Sequence, residues 1–214
     1  MQVPAGRLSG WIDRFARRHG PLTARGTADT VHLSAADGAW ACLHVPWPPL
    51  PWSSGEPGGE DPVPLVVAHA ERHRRLGLLL VRRGGFAVAV VHGDTLAESA
   101  VGARHVQGRT KAGGRSQQRY ARRRAHQAQA AFAAAADAAA VVLLPPVQSI
   151  EGLVCGGDRR AVAAVVEDPR LTPLTRLPQG RFLAVPDPRR RVLEDAARRC
   201  RDVLVDLAEP PSAG

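Results

Sequence analysis

The stretch RTKAGGRSQQRYARRR, Arg109–Arg124, combines a glycine pair, a glutamine pair and a run of basic side chains. Gly113 and Gly114 permit positive φ and close approach of backbone to a ligand. Ser116 can cap a following helix. Gln117 and Gln118 each offer a neutral donor and acceptor. A glutamine cannot act as a general base at neutral pH, but it can orient a water, and backbone N–H groups beside it can stabilise an oxyanion. That chemistry suffices only for a bond that is already reactive, such as an ester held in place by other machinery. Arg109, Lys111, Arg115, Arg119, Arg122, Arg123 and Arg124 would clamp phosphates without reading a base sequence. Taken together, the residues suggest catalysis in an RNA environment. The plainer alternative is a flexible loop leading into a solvated helix, and the residues alone leave both open.

The distribution of charge favours a polyanionic partner. Of 214 residues, 29 are basic and 20 acidic, a net charge of +9. No Asp or Glu occurs between Ser99 and Ala136, and that window holds eight basic residues, so the rest of the chain is nearly neutral. A patch without interspersed acids is unlike an ordinary surface helix and fits RNA.

Other chemistries are poorly served. The strands read at LLLVR, FAVAVVH and VVLL carry no carboxylate, which argues against two-metal nuclease chemistry. Asp94 and Glu98 lack partners, and no Ser-His-Asp set suggests itself. His69 and His73 are four residues apart but have no third ligand at a recognisable spacing, so no metal is expected. Cys42, Cys155 and Cys200 form no CxxC and read as small buried hydrophobes of a reducing compartment. No apolar run approaches the roughly 18 residues that span a membrane, and the start lacks the apolar core of a signal peptide. The expectation is a cytoplasmic protein without cofactor.

Elements must position the loop. Leu8, Trp11, Ile12 and Phe15 have helical spacing, and Thr30–Leu33 and Ala39–Val45 read as a hairpin, giving a small α+β module over 1–52. PWPPLPW (Pro46–Trp52) reads as an extended strap packed on its own domain, and 53–62 as a linker. A larger domain over 63–207 follows, with a tail at 208–214. It opens with a helix or irregular lead-in at Val66–Leu76. Leu78–Arg82, Phe86–His92 and Thr95–Val101 form an antiparallel meander, the first two strands apolar enough to be central. A long helix is predicted from about Ser116 to Ala138, then strands at Val141–Leu144 and Gly152–Cys155. A helix capped by Asp158, a strand at Phe182–Val185 and a final helix from Pro188 to about Leu207 complete the chain. The class is α/β, in a ribonuclease H-like order.

This arrangement resembles a known family. A hairpin, a further strand, a basic Gly-Gly-Gln-type loop and a long arginine-bearing helix are similar to the middle domain of eukaryotic and archaeal peptide-chain release factors. R-x-K-x-G-G-x-S-Q at Arg109–Gln117 more closely resembles the Vms-like release factors, peptidyl-tRNA hydrolases of ribosome quality control with actinobacterial relatives. EGLVCGGDRRAVAAVVEDPRL (Glu151–Leu171) is similar to the release-factor segment after that helix. The resemblance implies that Gln117 is catalytic, that Gly113 and Gly114 are the glycine pair, and that Arg109, Lys111, Arg119, Arg122 and Arg123 meet RNA. Release factors have Gln directly after Gly-Gly and eukaryotic Vms-like proteins have Ser-Gln there, whereas Arg115 intervenes here and Gln118 follows. Gln117 is placed ahead of Gln118 because it keeps the Ser-Gln pair and begins the helix. Without a codon-reading domain, the implied activity is release of nascent chains from peptidyl-tRNA on stalled large ribosomal subunits, by a monomer. The rivals are cleavage of a phosphodiester near the tRNA 3′ end and a non-catalytic ribosome- or RNA-binding factor.

Overall fold

The computed structural model describes residues 1–51, 61–103 and 116–210, with side chains of residues 103 and 116–128 excepted. It is mixed α/β, and its contacts divide it into two units: Met1–Arg72 with Arg201–Gly214, and His73–Cys200. The domain bounds expected from the sequence, 63 and 207, therefore move to 73 and 200.

The first unit is a five-stranded antiparallel sheet ordered β1-β9-β4-β3-β2. Its strands are β1 (Gln2–Val3), β2 (Leu22–Gly26), β3 (Thr30–Ala35), β4 (Trp40–His44) and β9 (Val203–Ala208). Helices α1 (Leu8–His19) and α2 (Pro62–Glu71) pack on one face. Leu8, Ile12 and Phe15 of α1 and Val66 and Ala70 of α2 share a core with Val31, Leu33, Leu43, Val203 and Val205. The helical period of α1 and the twofold period of the strands thus meet in one apolar layer. The proline-rich segment packs on its own unit as expected, but it is not extended: Trp47 has φ +59° and the Pro48–Pro49 peptide is cis. The Leu50 amide donates to the Ala28 carbonyl, the Leu50 side chain is buried, and His69 Nε2 lies 3.0 Å from the Pro46 carbonyl.

The second unit is a four-stranded sheet ordered β7-β6-β5-β8. It is built from β5 (Arg75–Arg82), β6 (Gly85–His92), β7 (Thr95–Ala103) and β8 (Gly152–Gly157). The meander is antiparallel and β8 joins β5 in parallel. Helices α3 (Ser116–Leu143), α4 (Arg159–Val166) and the short α5 (Thr172–Thr175) cover one face, where Leu79, Val81, Val88 and Val90 share a core with Ala135, Ala139, Val162 and Leu174. The alternate residues Leu78, Leu80, Ala87 and Ala89 are equally buried. By strand alternation they face the other side, against α6 (Arg190–Arg199) with its buried Leu193, Ala196 and Ala197. Cover on both faces explains why these two strands are apolar throughout.

Four expectations are corrected. Val141–Leu144 is no strand: α3 runs on to Leu143, because Ala135, Ala139, Val142 and Leu143 continue its buried helical stripe. The last helix stops at Arg199, and Val203–Ala208 is a strand whose Val203 and Val205 alternate inward. Phe182–Val185 makes only an isolated bridge, Leu183 to Gly156. The lead-in helix is Pro62–Glu71, begun by Asp61, whose carboxylate accepts from the Val63 amide, so Arg75 and Leu76 are free to start β5.

Gly156 and Gly157 close the sheet tightly. Gly157 has φ +101°, and a Cβ there would run into the Val81 carbonyl oxygen. The Gly157 amide donates to the Leu183 carbonyl and the Asp158 amide to that of Val81. Asp158 then caps α4. Gly157→Ala should therefore lower unfolding stability by more than about 1 kcal/mol. Gly6→Ala, with nothing near its Cβ position, should change it by less than about 0.5 kcal/mol in the same denaturant titration. Equal effects would contradict the packing described.

Acid should also act locally. The Asp168 carboxyl is held below its usual range by the side-chain hydrogen bonds of Arg170 and then by the Arg170 amide. A carboxyl depressed in the folded state adds stability above its unfolded value, near pH 4, and loses that contribution as pH falls through its folded value. The stability difference between wild type and Asp168→Asn should be constant above about pH 5 and shrink below about pH 4. A difference that grows with acid would contradict the pairing.

Candidate functional site

The nominated segment follows the end of strand β7 along the chain. Strand β7 carries the chain to Ala103, which stands opposite Gly85 of β6. Gly85 pairs with Arg82, and the neighbouring Val81 pairs with Gly157 of β8. These residues form a row across the sheet, about 14 Å wide at the usual strand spacing. Strands β5, β7 and β8 all finish at this row. The opposite end holds the Gly93–Asp94 turn, Arg75 and Glu151, whose carboxylate accepts from the Arg75 amide.

Ser116, Gln117 and Gln118 occupy the first turn of α3. Arg119, Arg122, Arg123 and Arg124 follow on its second and third turns, so the helical backbone brings Arg119, Arg122 and Arg123 to neighbouring positions. Arg109, Lys111, Gly113, Gly114 and Arg115 lie outside the described residues, as do the side chains of the glutamines and of these helix arginines. Helix α3 has 28 residues, a rise of about 42 Å, against about 30 Å for the nine residues of β7.

Both flanks of the nominated segment are anchored. Gly102, next to the end of β7, lies so close to the Phe86 ring that a Cβ would collide with it. Ala131, Ala135, Ala136, Ala139 and Leu143 of α3 are buried against the sheet. Alanines let the helix axis come close to the strands, and the buried Leu143 side chain adds on the order of 2 kcal/mol. The chain on either side of the candidate segment is thus packed up to Gly102 and again from Ala131.

The described residues offer no better centre. Burial pushes the Cys155 thiol up to about 11, far from a reactive thiolate. Cys42 is also raised, first by burial and then by Asp206. The Cys200 thiol donates to the Ala196 carbonyl. His69 is engaged by the strap, and His73 stands edge-on to His92 with centroids 6.1 Å apart. His32 and Cys42 are cross-strand neighbours, and His44 Nε2 lies 2.7 Å from Asp206 Oδ2. Among the described residues no group of three or more His, Cys, Asp or Glu side chains is arranged to hold a metal ion.

The count of charge along the sequence missed what the fold collects. Arg83, Arg159, Arg160, Arg189 and Arg191 are far apart in the chain and were absorbed into a nearly neutral remainder. All five are exposed and lie on turns or helix starts at or beside the row of strand ends. The signal was the repeated placement of Arg just after a strand or before a helix, at RRG, GGDRR and DPRRR.

No helix among the described residues is long and apolar enough to cross a membrane. No curated protein matches the chain. A family model described as Actinobacteria/chloroflexi VLRF1 release factor matches residues 74–206. That stretch covers the whole four-stranded sheet with its helices and the candidate loop, and it is more than half of the chain. The chain therefore belongs to the Actinobacteria/chloroflexi VLRF1 release factor family.

Proposed function

We propose that the protein is a translation-rescue peptidyl-tRNA hydrolase that frees nascent chains on stalled large ribosomal subunits without reading a codon. The observation that carries this reading is the position of Ser116-Gln117-Gln118. In a chain of a release-factor family, they open a long arginine-bearing helix that directly follows Gly113-Gly114 in the sequence.

The reaction asks little of the protein. A water oxygen attacks the ester carbonyl carbon, the bond from that carbon to the ribose 3′ oxygen breaks, one water proton ends on the ribose 3′ oxygen, and the other leaves the new carboxyl group for solvent. The amide of Gln117 orients the water, accepting through its oxygen. The first N–H groups of α3 have no partner within the helix, so they can donate to the oxyanion that develops. Gln118 supports this geometry from the next position. Gly113 and Gly114 have no Cβ, which permits close approach of backbone to the ester. Arg109, Lys111, Arg115, Arg119, Arg122, Arg123 and Arg124 hold phosphates of tRNA and ribosomal RNA.

No metal or organic cofactor enters this scheme. The fold proposed for the second unit is the ribonuclease H-like middle domain of release factors, supported by the three-strand meander, the parallel fourth strand and helices on both faces. The setting is the cytoplasm and the working form a monomer.

The test is release of peptide from large subunits loaded with peptidyl-tRNA. Gln117→Ala should slow release by about a hundredfold or more, the usual effect of losing a transition-state donor. Its binding to the subunits should stay within about twofold of wild type, and Gln118→Ala should be less affected. Unchanged release by Gln117→Ala would overturn the assignment.

A further inference from the structure

The strand ends beside α3 carry more positive charge than the loop and helix account for. Arg83 sits in the β5–β6 turn, Arg159 and Arg160 begin α4, and Arg189 and Arg191 flank the start of α6. Each lies at or beside the row from which the 104–115 segment departs. Arg82 and Asp187 tie these elements together. Arg82 Nε is 3.4 Å from Asp187 Oδ1, and its guanidinium donates to the Val185 carbonyl at 2.8 Å. The chain then reaches Arg189 two residues later.

The carboxylates nearby are already committed. Asp158 accepts from the Arg160 and Ala161 amides, Asp187 pairs with Arg82, and Glu194 pairs with Arg190 at 2.9 Å. Arg83, Arg160, Arg189 and Arg191 are exposed and have no carboxylate partner among the described residues. The guanidinium of Arg159 lies 4.2 Å over the Phe182 ring, which fixes it without neutralising it. A like-charged cluster with no internal counter-ion is unfavourable unless an external anion completes it.

We propose that this rim is a second RNA-binding surface, one that grips phosphates of the tRNA acceptor strand. The proposal rests on the reading that Gln117 works at a tRNA ester. Gln117 opens α3 about 20 Å along the helix axis from Ala131, the first residue of α3 described as buried on the sheet, a distance that the single-stranded 3′ end of an acceptor strand can span. Arginines from three separate elements suit a strand held by its backbone, since phosphate contacts fix register without selecting bases. One loop then serves every tRNA.

The experiment uses the full chain and a minihelix RNA of an acceptor stem with a 3′ CCA end. Binding is measured from low to physiological salt. Arg83→Ala/Arg160→Ala/Arg191→Ala should weaken binding on the order of tenfold and flatten the log–log salt dependence by about two to three, as counter-ion release requires for lost phosphate contacts. The triple Lys variant at the same positions should bind nearly as wild type, which excludes misfolding of these sites. Arg14→Ala/Arg17→Ala/Arg176→Ala removes equal charge elsewhere and should leave binding within about twofold. Equal loss in that control, or no loss in the rim variant, overturns the proposal. Lost binding to large subunits with minihelix binding intact also overturns it, because the rim would then meet ribosomal RNA. Gln117→Ala should bind the minihelix as wild type. If wild type releases no peptide while minihelix binding still depends on the rim, the hydrolase reading fails and the rim stands.

Discussion

The parallel pairing of β5 with β8 is the constraint on which the site depends. Antiparallel neighbours can be joined by a tight turn, but a parallel neighbour needs a crossover along the length of the sheet. The chain leaves β7 at the end where β5 also finishes, and β8 must start at the other end, at Gly152 opposite Leu76. Helix α3 makes that traverse. Its turns from Ala131 onward are buried on the sheet, and its first turn, with Gln117, lies about 20 Å further along the helix axis. Topology thus sets the direction of α3, whose first turn carries Gln117. In open α/β sheets ligands gather at the carboxyl ends of parallel strands for the same reason.

Much of this could be read from the chain, and the misses have physical causes. The meander was plain because LGLLLV and FAVAVV are too apolar for anything but strands covered on both faces, and Gly-rich turns separate them. The start of α3 was readable from its run of strong helix formers. Its end was not, because Val141 and Val142 carry β propensity that burial on the existing helix overrides. Strand β9 was hidden in the continuation of α6. No Gly or Pro separates Cys200 from Val203, and the pairing that makes Val203–Ala208 a strand comes from β1 and β4, some 160 or more residues away. Such long-range pairing leaves no local mark. It also explains why the first unit is discontinuous while the sequence suggested two consecutive domains.

The candidate site was readable as composition and not as place. The glycine and glutamine pairs and the arginine run announce themselves in the sequence. The strand and helix that flank them, β7 and α3, follow from the fold, and the arginines around the end of β7 emerge only when distant segments are brought together. The chain thus divides its work in a physically sensible way. In the proposed function, packed strands and an alanine-faced helix set position, arginines supply non-specific attachment, and a neutral glutamine aligns a water. A charged catalytic side chain in so basic a setting would be drawn into ion pairs, whereas an amide stays free to act.

The most direct test of this account follows the oxygen of the attacking water. Release is run in water enriched in oxygen-18, and the products are examined by mass spectrometry. The account requires one labelled oxygen in the C-terminal carboxylate of the released peptide and an unlabelled tRNA with its 3′ CCA intact. Label in a terminal phosphate, or a shortened tRNA still joined to the peptide, would contradict ester hydrolysis and make the site a nuclease.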